Sequence, residues 1–269
     1  MNSAVFYDQV FAKKEEANKS KLAARMRKFN AILVSSFSVF LTQALIPSTA
    51  LGAVKEKGVD AALIEEAYNY IYPSYALSTF RWNALNETGG RTSTKLNQFV
   101  HQRSMTTPAD TWAASPLVDC LYSTAWLDLS AGPVIIETPD TGDRYYVLTL
   151  IDYFSGTFHY AAASTTGTAA QKYMVVAPDW QGTVPEGVKL VRSPTKDVYI
   201  NLRVAIDGAA DQAAANAVQD GFLLKQPGGG VSSRPASIKP IPESIENYFV
   251  MVNQALAFNP APDRDKEVM

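Results

Sequence analysis

The segment from Leu121 to Phe154, LYSTAWLDLSAGPVIIETPDTGDRYYVLTLIDYF, constrains the fold more than any other part of the sequence. The run from Leu121 to Leu129 is predicted as a strand with two faces. One face carries Leu121, Ser123, Ala125, Leu127 and Leu129, and the other carries Tyr122, Thr124, Trp126 and Asp128. A second strand is predicted over Pro133–Thr138, and Arg144–Ile151, apolar on both faces, is predicted as a central strand. The loop Pro139–Asp143 has turn chemistry, with Gly142 suited to positive φ, so we expect a hairpin. The segment therefore predicts three consecutive strands joined by short turns.

Further strands and a few helices complete the predicted architecture. Short strands are expected over 160–163, 172–177 and 188–191, and the run 198–206 alternates between one buried and one polar face. Asp60 is suited to cap a helix with apolar residues at three- and four-residue steps, and Pro73 should kink or end it. An Ala-rich helix is predicted over 211–225. The expected fold is α+β and mainly antiparallel, a sandwich or jelly-roll-like domain with an N-terminal helix and C-terminal helices.

The first 50 residues have the pattern of a secretory signal peptide. Basic residues including Arg27 and Lys28 precede the apolar run 31–46, and the small residues Ser48-Thr49-Ala50 follow it. Three serines, a threonine and a glutamine interrupt the run, which disfavours a membrane-spanning helix. Translation from Met26 would give a peptide of ordinary proportions. We therefore expect export to the periplasm or medium, with no stable membrane span after cleavage.

Charge and cysteine content narrow the function classes. Beyond residue 50 the chain has 17 Lys and Arg against 23 Asp and Glu, a formal balance of −6, and no basic run. Nucleic acid is therefore not an expected partner. Cys120 is the only cysteine, so an intramolecular disulfide is excluded and stability must come from the core.

A Gly/Pro/Ser-rich stretch separates the predicted β-rich domain from a C-terminal helical segment. Residues 51–226 are predicted to form the β-rich domain, 227–242 a flexible Gly/Pro/Ser linker, and 243–269 an amphipathic helical segment. The helix, expected over 243–259 and ended by Pro260, places Ile245, Phe249, Val252 and Leu256 on one stripe. An apolar stripe must be covered in the folded protein, so this helix predicts either a homo-oligomer or docking against another surface.

Several stretches resemble the domain of unknown function 1254 family, over about Asp60 to Gln226. They are residues 66–73 (EAYNYIYP), 97–103 (NQFVHQR), 119–152 (DCLYSTAWLDLSAGPVIIETPDTGDRYYVLTLID), 165–168 (TTGT), 173–182 (YMVVAPDWQG) and 192–204 (RSPTKDVYINLRV). The resemblance implies an exported, β-rich protein of undefined activity. Such proteins usually continue into a second domain, the domain of unknown function 1214, and residues 245–269 resemble the helical link into it. We infer a truncated or single-domain member, in which an activity needing both halves is in doubt.

The sequence also departs from the family pattern. Leu117 and Val118 precede Asp119, where the resemblance implies a pair of asparagines. If those amides line a polar pocket, the pocket is weakened or altered here.

Candidate catalytic residues cluster near this position. His101 lies beside Arg103, and with Asp119 and Tyr122 it offers a base, a carboxylate and a hydroxyl for general acid–base work. The alternative is a hydrogen-bonded histidine of the core or sheet. Ser123 lacks the G-x-S-x-G context of a hydrolase nucleophile.

Candidate ligand-binding residues are arginines, aromatic residues and one carboxylate. Three arginines suit a bidentate clamp on an anion, or alternatively pair with sheet carboxylates. Trp126, Tyr145 and Tyr153 are candidates for an aromatic platform, although aromatic residues in a sheet are more often core. Asp152 is more typical of turn capping than of catalysis. The predicted ligand-binding set is Arg103, Trp126, Arg144, Tyr145, Asp152, Tyr153 and Arg203.

Two functions stay open at this point. One is a small-molecule enzyme of the cell envelope with a His/Asp/Tyr pocket, and the other is a noncatalytic ligand-binding or assembly module with an aromatic platform. Two histidines and one cysteine give no metal-ligand spacing, so no metal site is assigned. No phosphate loop or dinucleotide fingerprint identifies a cofactor, and the cofactor is unknown.

Overall fold

The computed structural model describes residues 61–110, 116–228 and 230–265, which belong to one unit, Asp60–Met269. A long helix α1 (Ala61–Asn86) precedes the strands β1 (Val100–His101), β2 (Cys120–Asp128), β3 (Val134–Thr138), β4 (Tyr146–Ile151) and β5 (Thr157–Ala162). A short helix α2 (Ala163–Thr166) leads to β6 (Gln171–Val176), β7 (Lys189–Arg192) and β8 (Asp197–Ala205). Helix α3 (Gln212–Asp220), strand β9 (Leu223–Lys225) and helix α4 (Ile245–Phe258) follow.

The strands form two sheets, and this confirms the predicted α+β fold with mostly antiparallel strands and a helix at each end. The first sheet has the order β1-β2-β8-β4-β5 and the second the order β7-β6-β3-β9. Only the β6–β7 pair is parallel among the described strands. The inner faces share one apolar core, built from residues such as Leu148 and Ile200 of the first sheet and Ile136 and Val175 of the second. This core makes the domain a β-sandwich.

The predicted hairpin between β3 and β4 is wrong. β3 pairs with β6 and β9 in the second sheet, whereas β4 pairs with β5 and β8 in the first. The loop between them crosses the sandwich, and Gly142 takes the expected positive φ there, at 58°. The segment 121–154 therefore alternates between the sheets, with β2 and β4 both next to β8, and β4 is the internal strand that was predicted.

Two helix predictions also need correction. Helix α1 does not end at Pro73 but spans 26 residues, Ala61–Asn86, because it packs on α4 and its Ser74 hydroxyl donates to the Tyr153 carbonyl. The Ala-rich helix ends at Asp220 rather than Lys225. Beyond it, Phe222 is buried in the core, and the chain returns as β9 to pair with β3.

Helices α1 and α4 cover one end of the outer face of the first sheet. Ser244 caps α4 by accepting the backbone N–H of Asn247, and the helix ends at Phe258, close to the prediction. Its buried side is rotated from the predicted stripe and consists of Asn247, Tyr248, Met251, Val252 and Ala255. Tyr248 stacks on Tyr68 of α1, with ring centroids 5.3 Å apart. Much of the cover that this helix needs is therefore supplied by the same chain.

None of the described helices combines the length and the apolar character needed to cross a membrane. The predicted signal peptide lies outside the described residues.

Candidate functional site

The predicted catalytic residues are divided by the first sheet. His101 lies opposite Ser123 in the β1–β2 pair, so both side chains point to the inner face. Tyr122 is the neighbour of Ser123 along β2 and points to the outer face. Asp119 is exposed at the start of β2, where its backbone carbonyl accepts the N–H of Ile206. The described residues therefore do not assemble the His/Asp/Tyr pocket.

His101 has the environment of a structural histidine. Its Nδ1 lies 2.8 Å from Ser123 Oγ, which also accepts a hydrogen bond of 2.9 Å from Gln219 Nε2. Ser123 is 1% exposed, so no substrate reaches its hydroxyl without opening the sandwich. Burial, followed by the nearby Arg103 guanidinium, lowers the pKa of His101 to about 4. His101 is therefore neutral at pH 7, and its role is to hydrogen-bond the buried Ser123 hydroxyl.

The lowered pKa predicts a pH dependence of stability. The unfolded chain takes up a proton on His101 below its ordinary pKa of about 6.5, whereas the folded chain does so only near pH 4. The unfolded state therefore binds more protons between these values, and stability falls as the pH falls through this window. Allowing for the partial exposure of His101, we expect a loss on the order of 1–2 kcal/mol. Urea unfolding of the wild type and His101→Gln from pH 7 to 4 measures it, and equal slopes would contradict the assignment.

Three of the predicted ligand residues have structural partners. Arg144 makes a bidentate ion pair with Asp211, with N–O distances of 2.5 and 2.7 Å, as the alternative of carboxylate pairing anticipated. Arg103 pairs with Asp220 of α3 at 2.5 Å. Asp152 is fully buried and caps its turn by accepting the backbone N–H groups of Phe154 and Gly156, and it also pairs with Arg264. Turn capping at Asp152 is thus confirmed.

The predicted aromatic platform is not an exposed surface. Trp126 and Tyr153 are each 1% exposed and pack against each other beneath α1 and α4. Their cover includes Phe80, whose ring meets Trp126 edge-on at 5.7 Å. Tyr145 is 51% exposed at the other end of the sheet. These residues therefore do not form one surface.

A different set of residues meets on the uncovered part of the outer face. Strand register places Arg203, Asn201, Thr149 and Tyr160 on this face, and Tyr145 precedes the buried Tyr146 and so points the same way. We call Tyr145, Thr149, Tyr160, Asn201 and Arg203 the outer strip. Tyr160 is 53% exposed, similar to Tyr145. The strip contains two of the predicted ligand residues, Tyr145 and Arg203. The alternation of residues 198–206 also placed Asn201 on the polar face, but it did not show which neighbouring strands supply Thr149 and Tyr160.

Two polar side chains of the outer strip, Asn201 and Arg203, lack a hydrogen-bond or ion-pair partner for part of their polar groups among the described residues. The side-chain oxygen of Asn201 is buried and has no hydrogen-bond partner among the described residues. The exposed Arg203 guanidinium lies 5.7 Å from the centroid of the Tyr122 ring, and no carboxylate among the described residues forms an ion pair with it. Tyr122 is held in turn because its hydroxyl accepts the backbone N–H of Leu117 at 2.9 Å. Leu117 and Val118 are 45% and 62% exposed, so they extend this surface and do not line an enclosed pocket.

A buried network of two arginines and two aspartates was missed by the sequence analysis. Asp197 is completely buried and receives Nε of Arg234 on both oxygens, at 2.9 and 3.0 Å. Arg81 of α1 is 2% exposed and lies 3.5 Å from the same carboxylate. Asn259 also bonds Asp197, both to its carboxylate and to its backbone N–H. Asp128, opposite Asp197 in the β2–β8 pair, bonds the hydroxyls of Ser130 and Ser232.

This network holds the segment 230–242 against the domain. The segment has no helix or strand, and Ser232, Arg234 and Ser237 attach it to the sheet and to α1. Burial lowers the pKa of Arg81, which shares its carboxylate with a second guanidinium. Arg234 is also buried, but its direct contact with Asp197 keeps its pKa above the ordinary value. A Gly/Pro/Ser composition alone gave no sign of these contacts.

No group of three or more His, Cys, Asp or Glu side chains suited to a metal ion occurs in the part of the chain that the structure describes. Cys120 is buried, and burial raises the pKa of its thiol, which suits packing.

Part of the chain matches a known protein family. Residues 96–226 match the family described as "Protein of unknown function (DUF1254)". The resemblance predicted from the sequence is therefore confirmed over this segment, which is just under half of the chain. The comparison with curated proteins found no match.

Solved structures that match this chain include the following two. The VPA0106 protein from Vibrio parahaemolyticus is 25% identical, with a TM-score of 0.58, over 77% of this chain and 49% of that one. A putative uncharacterized protein from Burkholderia cenocepacia is 11% identical, with a TM-score of 0.30, over 74% of this chain and 50% of that one. The chain thus spans about half the length of the solved structures that it matches.

Proposed function

We propose that the chain is an exported, noncatalytic binding module of the cell envelope, and that its ligand lies on the outer strip. The observation that carries this proposal is a group of side chains on one open sheet face, of which Tyr145, Tyr160 and Arg203 are exposed. Two tyrosines, a guanidinium and an unpartnered amide oxygen share this face, whereas the candidate catalytic groups are divided between the two faces of the sheet.

The spacing of the outer strip suits a ligand of several rings. Residues two apart on a strand are about 7 Å apart, and neighbouring strands are about 4.8 Å apart. Tyr145 and Arg203 therefore lie within roughly 10 Å of each other, with Tyr160 two strands away from Arg203. Tyrosine rings pack on apolar ring faces, the Thr149 hydroxyl hydrogen-bonds hydroxyls, and Arg203 pairs with a carboxylate. An acidic oligosaccharide combines these features.

Binding to acidic glycans tests this proposal. Calorimetric titration with oligogalacturonates should give saturable binding, and Tyr145→Ala and Tyr160→Ala should each weaken it by about tenfold or more. Arg203→Gln should reduce the preference for acidic over neutral oligosaccharides. Tyr72→Ala is the matched control, because Tyr72 is 48% exposed on α1, outside the strip. Absence of binding, or equal loss in the Tyr72 variant, would overturn the proposal.

The other function considered is a small-molecule enzyme, and fewer observations support it. Its one favourable observation is the 2.8 Å contact between His101 and Ser123, the distance expected of a base and a nucleophile. The burial of Ser123 and its bond to Gln219 argue against this role. Self-association through α4 is likewise weakly supported, because Tyr248, Met251 and Val252 are already buried within the chain. A monomer at high concentration in sedimentation analysis would exclude it.

The export part of the proposal rests on the sequence pattern of residues 25–50. N-terminal sequencing of the protein recovered from the periplasm or medium should give a mature end close to Ala50. A mature end upstream of Phe29 would contradict it.

A further inference from the structure

The strongest unexplained feature is a small pocket where α1, the segment 230–242 and α4 meet. Ser78, Tyr153, Arg234, Ser237 and Gln254 provide its polar lining. Its interior has room for roughly one water-sized group. An organic substrate does not fit such a space, whereas a single atom or ion does.

The hydrogen bonds around this pocket leave donors in excess. Ser237 Oγ accepts from Arg81 Nη1 at 3.1 Å and from Arg234 Nη1 at 3.0 Å, which uses both of its lone pairs. Its own O–H must therefore donate, and no acceptor for it occurs among the described residues. Gln254 Nε2 donates one of its two hydrogens to the Ala236 carbonyl, at 2.9 Å, and the second is available.

Hydroxyl groups on the other side of the pocket are already committed. Ser78 Oγ donates to the Ser74 carbonyl at 2.7 Å, so the Tyr153 hydroxyl, 3.0 Å away, must donate to Ser78. Apart from the Gln254 side-chain oxygen, the groups of the lining that remain available are therefore the donors of Ser237, Gln254 and Arg234. A cation is disfavoured by this lining, and a water molecule satisfies only part of it.

The guanidinium groups beside the pocket add further hydrogen-bond donors. Arg81 and Arg234 approach one shared carboxylate, Asp197, and Nε and Nη2 of Arg81 are buried without a hydrogen-bond partner in the described part of the chain. Asp128 lies opposite Asp197, so the two carboxylates formally balance the two guanidinium charges, and the oxygens of Asp128 accept from the hydroxyls of Ser130 and Ser232. An anion accepts hydrogen bonds without offering donors, so it suits a site rich in N–H and O–H groups, such as this one.

We propose that this pocket binds one small monovalent anion of halide size, which pins the segment 230–242 to α1 and α4. The proposal is independent of ligand binding on the outer strip, since the two sites share no residue.

Thermal unfolding with sodium chloride against sodium methanesulfonate, at constant ionic strength, tests this proposal. Methanesulfonate is too bulky for the pocket, so we expect a saturable rise of a few degrees in Tm with chloride only. In Ser237→Val, which fills the pocket and removes a donor, the rise should disappear. Ser233→Val is the matched control, because Ser233 is exposed on the same segment and should keep the full rise.

Crystals soaked in sodium bromide give a second readout that needs no variant. An anomalous peak within hydrogen-bond distance of Ser237 Oγ is expected. Equal Tm values in the two salts, a full chloride response in Ser237→Val, or bromide peaks only elsewhere would each overturn the proposal.

Discussion

Replacing Asp197 with alanine is expected to lower the free energy of unfolding by about 3–5 kcal/mol. The substitution leaves Arg81 and Arg234 buried without their shared carboxylate and removes a partner of Asn259. An uncompensated buried charge costs more than the original pair contributes. For a domain of this size the expected fall in Tm is roughly 10 °C, measured by circular dichroism together with urea unfolding.

A mutant cycle separates this effect from general damage to β8. In an Arg81→Met/Arg234→Met background, Asp197→Ala should cost much less, because no buried cation is left behind. If Asp197→Ala lowered the free energy of unfolding equally in the two backgrounds, the effect would come from the lost contact with Asn259 and not from the unpaired arginines. Asp140→Ala is a suitable control, since Asp140 is an exposed loop residue without an ion pair among the described contacts.

The network also shows why part of the site was not predictable from the sequence. Arg81, Asp197 and Arg234 lie far apart along the chain, and each by itself is an ordinary charged residue in a helix, at a strand end or in a Gly/Pro/Ser segment. Only the packing of α1 and the segment 230–242 over the sheet brings them together. Alternation, helix periodicity and turn chemistry are local signals and do not contain this information.

The same limit explains the errors in the β-rich segment. The positions of β2, β3 and β4 follow from local alternation and were predicted within a few residues. Their partners depend on which sheet each strand joins, and a five-residue loop is compatible with either a hairpin or a crossing between sheets. The separation of His101 from Tyr122 follows in the same way, because the face that each occupies depends on register.

Aromatic residues were the hardest to assign, because a strand sequence does not show which part of a face a helix covers. Trp126 and Arg203 both point outward from the first sheet, yet one is 1% exposed under α1 and the other is exposed to solvent. Sequence alone therefore grouped Trp126 with Tyr145, whereas the structure groups it with Phe80 and Tyr199.

The assignment of Trp126 to the core predicts the second large effect. Trp126→Ala should lower the free energy of unfolding by about 3–5 kcal/mol, because it removes a large buried side chain that contacts Phe80, Tyr153 and Tyr199. Trp126→Phe keeps an aromatic ring and should cost clearly less. Urea unfolding monitored by circular dichroism measures both.

Tyr145→Ala is the control for Trp126→Ala, because it removes an exposed aromatic ring from the same sheet face. Because Tyr145 is half exposed, its removal should change stability by no more than about 0.5 kcal/mol while weakening glycan binding. If Trp126→Ala left stability intact and abolished binding, the platform predicted from the sequence would be correct and the outer strip would not be the binding surface. If instead Trp126→Ala unfolds the domain and Tyr145→Ala only removes binding, then one end of this sheet face stabilises the fold and the other end binds the ligand.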